Sequence, residues 1–250
     1  MMRRVLLALA ALAATGASPP PQLISDLSDN KIDIVYSFAG AEILVFGAIQ
    51  YPGRTPDRQP DIAVIVRGPP QAITVRRKAR VAGIWINTRA VRFETAPSYY
   101  AAATTRPVAA LVDDENAAIY ELGLDHLQLS PASDADAAEV RAFETGLIDL
   151  RRREGLYGED PAGVTVTDNV LYRARVAIPS SVPVGAYTVE IHLIEDGDVV
   201  ASTTREISIG KSGFERDVSV AAQQHSFSYG MLAVSLALIL GWLAGFLVRR

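Results

Sequence analysis

From Tyr229 to Val248 the chain reads YGMLAVSLALILGWLAGFLV, 20 residues without a charge. At 1.5 Å of rise per residue such a helix is about 30 Å long, the thickness of a bilayer's hydrocarbon core. Phe227 and Tyr229 stand where one aromatic belt would lie, and Trp242 lies nearer the other interface. A buried core helix is the competing reading. It fails because only Arg249 and Arg250 follow, so no chain is left to cover the segment. A transmembrane helix is therefore expected at 229–248.

The opposite end, MMRRVLLALAALAATGAS, has Arg3 and Arg4, an apolar run from Val5 to Ala14, and then small residues including Thr15 and Ala17. Ten apolar residues are too few to span a bilayer, so the pattern reads as a secretory signal over 1–17, cut after Ala17. Cleaved or retained, it leaves residues 22–222 outside the cytoplasm and the 249–250 tail inside. The tail agrees with the positive-inside bias, although Lys211 and Arg216 lie on the outer flank. Cysteine is absent, which excludes lipidation through an N-terminal cysteine and disulfide staples. The exported region must hold together by its core, and its length suffices for that. The net charge of −4 implies no nucleic-acid role.

Period-two patterning starts at Lys31. In KIDIVYSF, Ile32, Ile34, Tyr36 and Phe38 alternate with Asp33, Val35 and Ser37, and AEILVFGAIQ, DIAVIVRGPP, QAITVRRKARV, GIWINT and AVRFET continue the series. The segment RPVAALVDDENAAIYELGL reads as mainly helical. A clearer helix follows, capped by Ser133 with Asp136 completing a capping box. Val140, Phe143, Leu147 and Leu150 mark one face of it. Arg151, Arg152 and Arg153 meet the negative end of its dipole, and Gly155 ends it. Strands then resume: Tyr172, Ala174 and Val176 alternate with Arg173 and Arg175, and SVPVGAYTVEIHLI pairs with DVVASTTREISI across Asp196-Gly197. A Pro-x-Gly-x-Tyr start to such a hairpin recurs in immunoglobulin-like sandwiches. The expected fold is mainly β, one immunoglobulin-like sandwich built from both β-rich parts, with a helical insertion at about 107–158. Two separate β domains are the alternative.

Several stretches, VRRKARVAGIWINT, APSYY, TTRP, IPSSVPVGAYTVEIHLIEDG, KSGFE and the terminal YG…GWLAGFLVRR, together resemble an uncharacterised family of putative transmembrane proteins, mostly alphaproteobacterial. The likeness runs from about Lys31 to the C-terminus. It implies an inner-membrane protein with a periplasmic domain, and a gene neighbourhood containing permeases of the sulfite-exporter type. It supplies no catalytic or ligand residue.

No constellation of residues announces a reaction. His126, His192 and His225 lie far apart without metal-ligand spacing, and His192, between Ile191 and Leu193, reads as a surface residue. GKSG at 210–213 lacks the earlier glycine of a phosphate loop, position 205 being Arg. DADAAE at 134–139 lacks the glycine of an EF-hand and belongs to the helix start. No G-x-S-x-G is present. No metal or cofactor is expected.

Charge is more informative. Between Ile62 and Arg106 stand eight basic residues against one acid, Glu94, whereas Pro107 to Asp160 holds thirteen acids and four arginines. On a strand, Arg76, Lys78 and Arg80 point to one side, where they could hold a small anion or a lipid phosphate. The reading placed first is that the acidic insert lies over the basic strands and neutralises them. Trp85, Tyr99 and Tyr100 could serve such a site or be core residues. In the span, Ala233, Ala237, Gly241 and Gly245 recur every four positions as a small-residue stripe, with Leu236, Leu240, Leu243 and Leu247 on other faces.

The function expected is that of a non-catalytic accessory protein associated with another integral membrane protein such as a transporter permease, or with itself, through that stripe. A periplasmic module for an anionic ligand or lipid headgroup is the alternative, and an enzyme comes third.

Overall fold

The computed structural model describes residues 19–34, 40–53, 59–132, 136–211, 222 and 226–248. Strands β1 (Gln22–Leu27), β2 (Lys31–Ile34), β3 (Ala41–Gln50), β4 (Asp61–Arg67), β5 (Pro70–Val81), β6 (Ile84–Pro97) and β7 (Tyr100–Thr104) come first. Helices α1 (Val108–Leu111) and α2 (Asp114–Ile119), a 3-10 turn at Leu124–His126, strand β8 (Pro131–Ala132) and helix α3 (Ala137–Arg153) follow. Strands β9 (Tyr157–Asp160), β10 (Val164–Thr167), β11 (Leu171–Ile178), β12 (Gly185–Glu195) and β13 (Asp198–Lys211) lead to helix α4 (Ser226–Val248). The signal segment, Ser133, His225 and the Arg249–Arg250 tail lie outside the described residues, as do Val35, Tyr36, Ser37 and Phe38.

The two β-rich parts of the sequence are interleaved. One sheet runs β1-β3-β11-β10 and the other β2-β13-β12-β4-β7-β9, so each contains strands from before and after the helices. In β11, Tyr172, Ala174, Val176 and Ile178 are buried while Arg173 and Arg175 stand outside, as the alternation requires. Those inward residues meet Ile43, Val45 and Ile49 of β3 and Tyr187, Val189, Ile191 and Leu193 of β12 in one continuous core. The hairpin turn is at Asp196-Gly197, both with positive φ (51° and 96°). Tyr187 donates its hydroxyl to the carbonyl of Pro183 at 2.7 Å, fixing the start of β12.

Strand β4 departs from simple alternation. Ile62, Ala63, Val64, Ile65 and Val66 are all at 0% exposure. A run like this needs cover on both faces. The opposite sheet covers one. On the other, Leu111, Val112, Ala117, Leu122 and Leu124 of the insert join the same core.

Helix α3 begins one turn later than the Ser133 capping box implies. Its cap is Asp136, whose side chain accepts from the Glu139 amide at 2.7 Å. At its other end Gly155, at φ +72°, and Leu156 return their amides to the carbonyls of Arg152 and Arg151. Phe143 and Leu147 are buried, but Leu150 is exposed. Those two buried residues form a second, smaller core with Val91, Phe93 and Ala96 of β6. GIWINT and AVRFET are one strand, not two: the register between β5 and β6 shifts at Arg77/Lys78, leaving Thr88 as an extra residue.

Candidate functional site

Strands β4 and β7 lie side by side and antiparallel, a geometry that a short turn could close. Instead the chain between them runs out and back as the β5–β6 hairpin. Its root is held by Phe143 and Leu147 beneath Val91 and Phe93, with Ile73 and Val75 against the same cluster. The residues that face α3 are therefore the odd positions of β5. Arg77, one of these, sits 4.8 Å over the Phe143 ring, and Arg89, opposite it, lies 3.7 Å from Glu139.

The even positions look the other way. Arg76, Lys78 and Arg80 are exposed, cross-strand from Ala90, Asn87 and Trp85. Arg80 donates to the carbonyl of Gly83 at 3.3 Å, and among the described residues no carboxylate pairs with any of the three cations. The insert thus neutralises part of the basic segment, through Glu139 here and Glu121 below, but does not cover this face. The expectation that it lies over Arg76, Lys78 and Arg80 is corrected: the pleat turns them away from it. Trp85 also leaves the list of core candidates. It is 66% exposed at the hairpin tip, whereas Tyr99 and Tyr100 are buried. The signal in the sequence was the apolar run VAGIWI between cations, which alternation alone did not assign to a tip.

The acidic insert meets the six-stranded sheet at a half-buried polar cluster. Arg67, at the end of β4, lies 3.3 Å from Glu190 and 3.7 Å from Glu121, and donates to the Tyr120 carbonyl at 3.0 Å. His192, opposite Ser202 in the register, places Nδ1 2.8 Å from the Ser202 hydroxyl, with the Tyr120 ring 5.2 Å away. Its Nε2 lies 3.7 Å from Glu190, an electrostatic contact beyond hydrogen-bond length. His192 is only 4% exposed, so the surface assignment is corrected. His192 faces outward from the sandwich like the other even positions before the Leu193/Ile194 bulge, and the insert, some 70 residues away in sequence, roofs it. The His192 ring above all, with Arg67 behind it, holds the Glu190 carboxyl below its ordinary range against the opposing effect of burial.

A serine, an imidazole and a carboxylate in line invite comparison with a hydrolytic triad. Here the β12 backbone around His192 is paired on both sides, with β13 and with β4, so the ring is held in the middle of the sheet. The arrangement fastens insert to sheet. Among the described residues no group of three or more His, Asp or Glu side chains could hold a metal. His126 instead sits with Nδ1 3.1 Å from the Leu122 carbonyl. An open cleft of about 980 Å³ lies between Asp61, Arg106, Leu111 and the Asp196 turn. Its arginine is already forked onto Asp61, which also accepts from Thr105 at 2.7 Å.

Helix α4 starts three residues before the expected span and, with 23 residues, is about 35 Å long. Ser226–Gly245 is long and apolar enough to cross a membrane and is not buried against the rest of the protein. Ala233, Ala237, Gly241 and Gly245 are all exposed, and a Cβ added at either glycine would meet nothing within 4 Å.

A family profile described as "Putative transmembrane protein (Alph_Pro_TM)" matches residues 22–250. The chain belongs to this family. No curated protein and no solved structure matches it. For this Alph_Pro_TM member, the family description and the one long apolar helix among the described residues agree on a membrane protein, and the structure adds a mainly β domain.

Proposed function

We propose that this Alph_Pro_TM protein is a non-catalytic accessory subunit of a bacterial inner membrane. Its β domain is periplasmic, and α4 docks against another integral membrane protein, either a transporter-type permease or a second copy of the chain. The observation that carries this is the open face of α4. Hydrophobicity cannot drive helices together in lipid, so close backbone approach along small residues must do it, and Ala233, Ala237, Gly241 and Gly245 offer such a face.

The domain itself reads as immunoglobulin-like. The orders β1-β3-β11-β10 and β2-β13-β12-β4-β7 follow the A-B-E-D and G-F-C arrangement of such sandwiches, and the Tyr187 to Pro183 bond has the form of a tyrosine corner. Purifying the tagged full-length protein from native membranes in mild detergent tests the proposal. One permease, or the chain itself, should dominate what is recovered, and a diffuse background with neither would refute it.

A second reading is favoured by one observation, the uncovered row Arg76, Lys78 and Arg80. In that reading the hairpin binds an anion, either a small ligand or a lipid phosphate. The two readings are compatible, because they use different elements and different surfaces, the β5–β6 hairpin and α4.

A further inference from the structure

The tip of the β5–β6 hairpin exposes Val81, Ile84, Trp85 and Ile86, at 49%, 68%, 66% and 45%. Water-facing tips usually carry polar turn residues. This turn is closed by Ala82 and Gly83 at φ +49° and +87°, a geometry that favours Asn or Asp at its first position. Alanine there keeps the tip apolar from Val81 to Ile86 except for glycine, at the expense of local preference. Such a broken local rule is expected where function asks for it.

Cations follow directly behind. Lys78 stands three residues from Val81, about 10 Å along a strand, close to the depth that apolar groups reach at a membrane interface. Arg80 lies across from Trp85, whose ring suits the boundary between acyl chain and headgroup. From Gly68 to Phe93 the sequence has no acid. Along the hairpin axis Val81 and Ile84 come first, Arg80 and Trp85 lie level behind them, Ile86 follows opposite Ala79, and Lys78 and Arg76 come last; an apolar end backed by cations is the polarity profile of an anionic bilayer surface. An acidic protein groove would match the cations but not the apolar tip.

Helix α4 holds the domain near such a surface. Residues 212–225 separate it from β13, and fourteen residues can extend at most about 50 Å. Tethering at that range gives even a weak contact a high effective concentration.

We propose that this tip is a second membrane contact. Val81, Ile84, Trp85 and Ile86 enter the interface, while Arg76, Lys78 and Arg80 seat on the phosphates of anionic lipids. The proposal rests on the anion-binding reading of that face and commits it to lipid.

The chain has two tryptophans, so Trp242→Phe leaves Trp85 as the sole reporter. Full-length protein carrying that change is placed in nanodiscs with acyl-brominated lipid, either phosphatidylcholine alone or with phosphatidylglycerol added. Trp85 emission should be quenched, more strongly with phosphatidylglycerol. The quenching should disappear when Arg76→Glu, Lys78→Glu and Arg80→Glu are combined, with an unchanged melting temperature showing that the domain stays folded. Unquenched emission in both lipids overturns the proposal, and shielding from acrylamide in that case would show the tip docked on protein instead. Quenching equal in the two lipids would refute the anion-binding reading and the phosphate contacts, while leaving insertion of the tip standing by itself.

Discussion

Arg67 ties β4, the insert and β12 together, because its guanidinium reaches Glu190, Glu121 and the Tyr120 carbonyl at once. Removing it leaves two half-buried carboxylates without their cation. Arg67→Met is expected to cost about 3 kcal/mol, read from the urea midpoint of the full-length protein. Glu190 adds a pH dependence. Its folded-state pKa is depressed, so its contribution is present above the ordinary carboxylate value and is lost as pH falls through the lower folded value. Melting temperature should therefore fall on acidification below about pH 4.5, and Glu190→Gln should flatten that limb. An unaltered acid limb in the variant would show that other carboxylates govern it. None of this cluster was legible in the sequence. His192 alternates with Ile191 and Leu193 as an exposed residue would, and only the fold brings Tyr120 over it.

At the scale of elements, period-two patterning located most strands, and β3 spans AEILVFGAIQ end to end. Strand β7, YAAAT, escaped because alanine carries little β signal. It is a strand because β4 and β9 flank it. Gly47 shows a close approach that the sequence could not announce. A Cβ there would lie 2.1 Å from the Ile24 carbonyl oxygen and 2.5 Å from the Tyr172 hydroxyl, which is bonded to Ser25. Gly47→Ala should destabilise the domain by about 3 kcal/mol, separating β1 from β3, as seen in denaturation and in faster amide exchange along β1. The basic hairpin gives the opposite expectation. Counting charges suggested mutual neutralisation with the insert, but the pleat decides which cations meet it. Reversing Arg76, Lys78 and Arg80 together should leave the melting temperature within about 2 °C, because they are exposed and, among the described residues, have no acidic partner. A large drop would mean that the insert covers them after all.

For the whole molecule, the membrane helix was the most legible feature, since length and lack of charge suffice to specify a span. The interleaving of two β-rich parts into shared sheets was legible only as a preference over two separate domains. Sequence pattern specifies strands, and not which strands pair. The chain has no cysteine, and its cores are built from aliphatic, tyrosine and phenylalanine side chains, so its melting temperature should be unmoved by dithiothreitol or EDTA. In the function proposed here, what the anchor touches is decisive. Site-specific crosslinking in native membranes, from a photoreactive residue in α4, compares wild type with Gly241→Leu combined with Gly245→Leu. Both should insert equally, since the change makes the span more apolar. The wild type should give one discrete crosslinked species that the double variant loses. The same species at the same yield from both would contradict docking through this face.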